Sequence, residues 1–591
     1  DPDLTEGEEV ALSVLPVPQS VTPSEVEART LLPSFVYLPH EGELPVGALA
    51  LPWSGTPDGA VGELGRSLGQ RTPLRLVSSA KSWLCHAGVD RRGPILPPGA
   101  EGEASITRIS PLAASTRYLA HLRAAWDHQN PDAPLAEQTL VITVPASFDP
   151  VARELTVEAA KAAGLEHAYL LEEPQAALYA WIAQSRGRWR DEVKVGDLIL
   201  VVDVGGGTTD LSAIAVTEEN GALALTRVAV GEHILVGGDN MDLALAHRVR
   251  TKLEAAGHTL DAAQIAALAP ACRAAKEVLL GDAPPDAMPI TLVGKGKKVV
   301  GGAITSELTR AEALETVAVG FFPDVAIDAV PERRPRGAIT SLGLPYASDP
   351  AVTRHLAAFL VRQRDATSDL ARKGGDTSAP ASGGKFLRPT AILWNGGVLK
   401  APVLRARLTD AIQRWLKEDG APPARVLGGT DLDLAVARGA AYYAFVRDGT
   451  GVRIRGGTAK SFYVGVESSM PAVPGLSVPV SALCVAPFGM EEGTHAPAAP
   501  QELGLVVGEP VHFRFFSSST RRDDRSGTLV ERWEGQMEEL PPIEATLPAE
   551  GRREGDIVPV RLEASVSEVG VLELRAVAKD GARWKVALGT R

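Results

Sequence analysis

The run Asp203-Val-Gly-Gly-Gly-Thr-Thr-Asp210 constrains this chain more than any other stretch. An apolar, β-branched segment, Leu198 to Val202, precedes it, and a second, Leu211 to Val216, follows it directly. Strand, glycine turn, strand predicts a hairpin, not the strand-to-helix turn of a Rossmann or Walker loop. Three glycines let backbone come close to a ligand and turn N–H groups toward an anion. Carboxylates at Asp203 and Asp210 beside such a cradle suit a magnesium ion, held directly or through water. The competing reading is an ordinary glycine-rich hairpin.

The surrounding segments alternate. A buried strand over 139–144 is closed by Pro145. Asp149-Pro150 then reads as an N-cap with proline at the first helical position, and Gly164 as the residue ending that helix. A short strand, Ala168 to Leu171, leads through Glu172-Glu173-Pro174 into a helix from Gln175 to about Gln184. Residues 240–282 read as helices, and 365–386 as a polar insertion rich in Gly, Ser and Ala. A strand from Thr390 to Trp394 then meets a second glycine turn, Asn395-Gly396-Gly397, before a helix starting near Pro402. Small residues Ala435, Gly439, Ala440 and Ala441 mark a helix over 433–446 that packs closely. Strands alternating with helices predict an α/β fold. After about residue 448 helical signals give way to short alternating runs such as 462–466, 511–515, 557–562 and 571–576, which predicts a separate antiparallel β-domain.

Bulk properties narrow the function. A chain of 591 residues holds roughly three or four folding units. A formal charge of −13 argues against nucleic-acid and anionic-membrane partners. No apolar run approaches the roughly 20 residues a membrane span needs. Cys85, Cys272 and Cys484 are far apart and form no CxxC pair, which fits a reducing, cytoplasmic setting.

Taken in order, these segments resemble the seventy-kilodalton heat-shock chaperone family of DnaK type. The residues that carry the resemblance are Val144-Pro-Ala-Ser-Phe148, Glu173-Pro-Gln-Ala-Ala177, Asp203 to Asp210, Val236-Gly-Gly-Asp-Asn-Met-Asp242, Asn395-Gly-Gly397 with Lys400 and Pro402, and Leu434 to Ala441. It covers residues 25–447 well and 458–591 weakly. It implies an actin-like ATPase fold of two lobes over 1–447, a linker over 448–457, and a β-sandwich over 458–591 that binds extended peptides. It also implies ATP or ADP with Mg2+ as cofactors, unfolded polypeptide segments as clients, and co-chaperones or a nucleotide-exchange factor as partners.

The resemblance assigns roles by position. Lys81 faces the γ-phosphate, Glu173 orients the attacking water, and Asp203, with Asp210, serves the magnesium site. Gly205, Gly206, Gly207, Thr208 and Thr209 cradle phosphates. Gly237 and Gly238 belong to the second glycine-rich motif. Lys276, Gly396, Gly397 and Lys400 contact the nucleoside. Three departures accompany these matches. Lys400 stands where an arginine stacks on the base, and a lysine is a poorer planar partner. Arg273 stands where glutamate is usual. Nothing in residues 1–30 matches the family's first phosphate hairpin, so the expectation is a sequence lacking those first strands, and no helical lid follows the β-domain. The leading expectation is an ATP-hydrolysing chaperone-like protein. The alternative is a nucleotide-sensing scaffold with weak or no hydrolysis and one dedicated protein partner. A small-molecule kinase on the same fold is the remaining reading.

Overall fold

A computed structural model describes residues 10–86, 88–98, 106–219, 222–292, 303–332, 344, 346–367, 384–429, 431–447, 452–455, 457–458, 460–469, 478–491, 493–496, 499–549, 551–567 and 572–586. Most of the polar insertion expected over 365–386, and linker residues 448–451 and 456, lie outside these.

The fold is mixed α/β. Its centre is a six-stranded sheet in the order Arg425–Leu427, Ala391–Asn395, Leu198–Val204, Thr209–Glu219, Ala222–Val230, Ile454–Arg455. The first three strands are mutually parallel, and the glycine turn makes the third and fourth an antiparallel hairpin. Every residue of Leu198–Val204 is buried, which explains its unbroken apolar run: both faces of the sheet are covered. One face packs against helices Gly238–Ala255, Ala262–Leu279, Val352–Arg362 and Pro402–Glu418. The other packs against helices Glu173–Ser185 and Ala435–Arg447.

Local signals hold at the expected places. Asp149 accepts a hydrogen bond from the Ala152 amide (2.7 Å), capping helix Pro150–Ala162. Gly164 takes φ +77° after it, the left-handed conformation that suits glycine. The strand expected over 139–144 is Val141–Val144, paired in parallel with Tyr169–Glu172. Several elements escaped the sequence reading, helix Pro111–Gln129 and an N-terminal hairpin among them. Val17–Thr22 and Glu25–Arg29 form a two-stranded hairpin. There Gln19 is wholly buried and accepts the Glu63 amide (3.0 Å) at the start of helix Glu63–Arg71.

Helix Glu173–Ser185 is apolar on all sides and almost wholly buried, so it belongs to the interior. Its contact with Ala435–Arg447 depends on Gly439: a Cβ there would run into the Ala176 carbonyl oxygen.

The C-terminal part is built from two antiparallel sheets. One has the order Leu529–Val530, Val480–Ala486, Ser461–Glu467, Pro510–Ser518, Glu538–Thr546. The other is Leu503–Val506, Ile557–Val566, Leu572–Ala578, Arg583–Val586. They share one core, with Val464, Leu483 and Phe515 from the first facing Val560, Leu574 and Trp584 from the second. Strand Ile557–Val566 alternates exposed and buried along its first half, the period of a strand with one wet face. Of the expected linker, Ile454–Arg455 pairs in parallel with Leu225 and Thr226, extending the central sheet. Ile454 is buried there and donates its amide to the Tyr179 hydroxyl (2.8 Å). Arg522 also ties the C-terminal part to the first, reaching Gln363 Oε1 (2.7 Å) and the Val228 carbonyl.

Gly439→Ala tests the helix contact. Helix propensity alone favours alanine by about 1 kcal/mol. The clash is with backbone, which no rotamer relieves, and overpacking costs about 1–3 kcal/mol. The expected result is net destabilisation by about 1–2 kcal/mol in urea unfolding.

Candidate functional site: a phosphate turn opening on a nucleoside-sized cavity

The glycine turn is fixed by four hydrogen bonds. Parallel pairing sets Asn395 beside Asp203, and Asn395 Nδ2 donates to Asp203 Oδ2 (2.6 Å). The Gly205 amide closes the turn on the Thr208 carbonyl (2.9 Å). The amides of Gly238 and Asp239, opening helix Gly238–Ala255, donate to the carbonyls of Gly205 (3.0 Å) and Gly206 (2.7 Å). Gly237 has to be glycine, since a Cβ would sit 2.6 Å from both carbonyl oxygens. The Gly206 and Gly207 amides have no protein acceptor among the described residues. They are the donors left for an anion.

The charged groups gather at one side of the turn. Lys81, on the short helix Ala80–Leu84, pairs with Glu173 Oε1 at 2.5 Å. Glu173 opens its helix, with Pro174 next. Lys81 also lies within electrostatic reach of Asp210 and Asp203. Asp210 is buried and fully engaged: Ser147 donates to Oδ1 (2.6 Å) and Thr208 to Oδ2 (3.1 Å). Ser147 in turn meets His233 Nδ1 (2.7 Å). Burial raises the Asp203 pKa, and Glu173 and Asp210 raise it further, to about 7, against the Asn395 hydrogen bond and Lys81.

Three carboxylates facing one ammonium form a hard-oxygen site with surplus negative charge, which fits Mg2+. No cluster of three or more metal-ligating side chains occurs among the described residues. An ion here would therefore keep most of its own water, as Mg2+ prefers. Asp203 is the carboxylate with open coordination, because both Asp210 oxygens already accept hydrogen bonds.

Thr209 departs from expectation. It is fully buried, and its hydroxyl donates to the Val236 carbonyl (2.8 Å). One position past the turn, the strand alternation points it away from the cleft, so it anchors the turn to the next motif and offers no donor to a phosphate. Thr208 stays at the turn, with its hydroxyl proton committed to Asp210.

Beyond the turn lies a cavity of about 510 Å³, with Gly206, Gly238, Lys276, Gly397 and Lys400 in its wall. Gly396 has φ +90° and would place a Cβ 2.5 Å from Asp203 Oδ1, so only glycine lets this turn press against the phosphate strand. The cations of the cavity are engaged. Lys276 pairs with Asp242 (2.7 Å) and donates to the Gly238 carbonyl (3.2 Å). Arg273 pairs with Asp242 (2.6 Å) and with Asp239. Lys400 pairs with Asp433 (2.8 Å). Ser79 reaches Asp239 Oδ2 (3.0 Å) from the Lys81 side of the cleft. Asp239, Asp242, Asn395, Ser147 and Asp433 were not singled out as site residues from sequence. Asp239, Asp242, Asn395 and Ser147 lie inside the motifs already noted, which was the available signal, and Asp433 adjoins another.

A stability profile tests the Asp203 environment. A carboxyl raised in the folded state contributes stability fully present below its unfolded value near 4, and loses it as pH rises through the folded value. In metal-free buffer the stability of the wild type relative to Asp203→Asn should fall between pH about 4 and 7 and level off above. The drop is at most about 4 kcal/mol. A flat difference across that window contradicts the assignment.

Comparison with known proteins agrees with this geometry. Residues 78–323 match the family described as Hsp70 protein. The chaperone protein HscA homolog of Bordetella petrii is 32% identical over 273 residues, 45% of this chain and 40% of that protein. Chaperone protein HscA of an Enterobacter species is 31% identical over 241 residues, 39% of this chain and 34% of its own. The HscA homolog of Pseudomonas fluorescens is 34% identical over 238 residues, 38% and 35% of the two chains. The aligned stretch thus spans two fifths or less of each of these relatives. Residues 78–323, where the family model matches, contain the Lys81–Glu173 pair, the glycine turn and helices Gly238–Ala255 and Ala262–Leu279.

Proposed function

We propose that this chain binds and hydrolyses ATP in the cleft around the glycine turn, and couples that cycle to holding extended polypeptide on its C-terminal sheets. The observation that carries the reading is adjacency: Gly206, whose amide has no acceptor among the described residues, is in the cavity wall with Gly238 and Gly397, and the Lys81–Glu173 pair lies within electrostatic reach of Asp203 and Asp210. On this reading residues 1–447 form a two-lobed actin-like nucleotide-binding unit, 448–457 a linker and 458–591 a β-sandwich for peptide. Co-chaperones or an exchange factor would act on the first unit.

The roles follow from charge and reach. Lys81 would stabilise negative charge on the phosphoryl group being transferred. Glu173, held by Lys81, would orient the attacking water and accept its proton. Asp203 would hold Mg2+ through water, with Asp210 contributing charge from behind its hydrogen bonds. Bound there, Mg2+ would offset phosphate charge that the lone lysine cannot balance. Gly206 and Gly207 would donate to phosphate oxygens. The C-terminal sheets would take an extended segment by backbone pairing and side-chain pockets.

The linker strand supports coupling. Ile454–Arg455 sits on the edge of the sheet that carries the phosphate turn, so a shift of that sheet is felt where the second unit begins. The scaffold alternative draws on the Lys400–Asp433 pair, which keeps a cavity cation occupied by protein.

Steady-state hydrolysis with magnesium tests the reading. Asp203→Asn and Lys81→Ala should each lower kcat by about a hundredfold or more while the fold persists by circular dichroism. Wild-type rates in both variants overturn the site assignment. Nucleotide binding without turnover in the wild type favours the scaffold.

A further inference from the structure

We propose that the base end of the 510 Å³ cavity accepts guanine nucleotides at least as well as adenine nucleotides, with Glu277 as the discriminating residue. The inference rests on the nucleotide reading of the same cavity and concerns only which base enters it.

The argument starts from which side chains are available to a ligand. The cavity's cations are bound to protein carboxylates: Arg273 and Lys276 to Asp242, Lys400 to Asp433. Asp239 is taken by Arg273 and Ser79. Glu277 and Asp282 also line the cavity, and neither makes a hydrogen bond or ion pair among the described residues. Glu277 is exposed, on the last turn of helix Ala262–Leu279, and its charge is felt by both Arg273 and Lys400. It lies in the cavity wall with Lys276 and Lys400. Met241, Leu280 and Leu404 supply apolar surface for the faces of a flat ring.

An ionised carboxylate only accepts hydrogen bonds. Guanine presents a ring N1–H and an exocyclic N2–H2 side by side, a donor pair that two carboxylate oxygens match in parallel. Adenine presents one amino group beside the lone pair of N1, so the second oxygen would face another acceptor. Charge-assisted, two-pronged contacts are the stronger and more specific kind.

Calorimetric titration of the full chain with Mg·GDP and Mg·ADP, wild type beside Glu277→Gln, tests this. Glu277 is exposed, so the variant should fold. The expected result is a GDP affinity equal to or above that for ADP, and a fall of about tenfold in the GDP-to-ADP affinity ratio in Glu277→Gln. Weaker binding of GDP than ADP by the wild type overturns the proposal, as does an unchanged ratio in the variant, while the nucleotide reading survives both. Absence of binding by either nucleotide removes the nucleotide reading and this proposal together.

Discussion

The cleft depends on one register. Parallel pairing of Leu198–Val204 with Ala391–Asn395 puts Asp203 opposite Asn395, and so sets the two glycine turns that follow these strands side by side. A slip of one residue would turn Asp203 to the other face of the sheet and bury it among aliphatic side chains. The register is secured by burial: both strands are buried along their whole length, and Asp203 and Asn395 are their polar residues. The site sits at the carboxyl ends of parallel strands, where open α/β sheets leave a crevice for ligands.

Backbone, more than side chain, shapes the phosphate turn. Gly237 and Gly396 are required because their neighbours are carbonyl oxygens, which cannot move aside as a side chain can. Helix Gly238–Ala255 donates its first amides to the turn, satisfying groups that a helix start otherwise leaves open. The same bonds hold the turn's carbonyls away from the cleft and leave amides facing it. Around this frame the charge is unbalanced. Glu173, Asp203 and Asp210 outnumber Lys81, and the Asp203 pKa is raised first by burial and then by these neighbouring carboxylates. A cleft that is electrostatically incomplete by itself suits a cation and a polyphosphate arriving together.

Among the described residues, named groups tie the C-terminal sheets to this frame. The short strand Ile454–Arg455 extends the central sheet, and Arg522 reaches Gln363 and the Val228 carbonyl.

Local dihedral and periodic demands were legible in the sequence. The glycine turn, the caps at Asp149 and Gly164, the small-residue helix at Gly439 and the alternation of the C-terminal strands are each written in neighbouring residues, because each is fixed by sterics within a turn or two. Lys81, Glu173 and Asp203 emerged from their motifs and meet in the fold. Pairings across long separations were decided only by the tertiary structure. Asn395 lies 192 residues from Asp203, and no local pattern announces their bond. The inward turn of Thr209, the engagement of Asp210 by Ser147 and the capture of Arg273 by Asp239 and Asp242 follow from which strands and helices become neighbours. The hairpin Val17–Thr22 with Glu25–Arg29 also gave no usable signal, since its second strand is exposed throughout and lacks the apolar alternation of a half-buried strand. Sequence thus determined which chemistry the chain carries, and tertiary packing determined which of those groups remain free to meet a ligand.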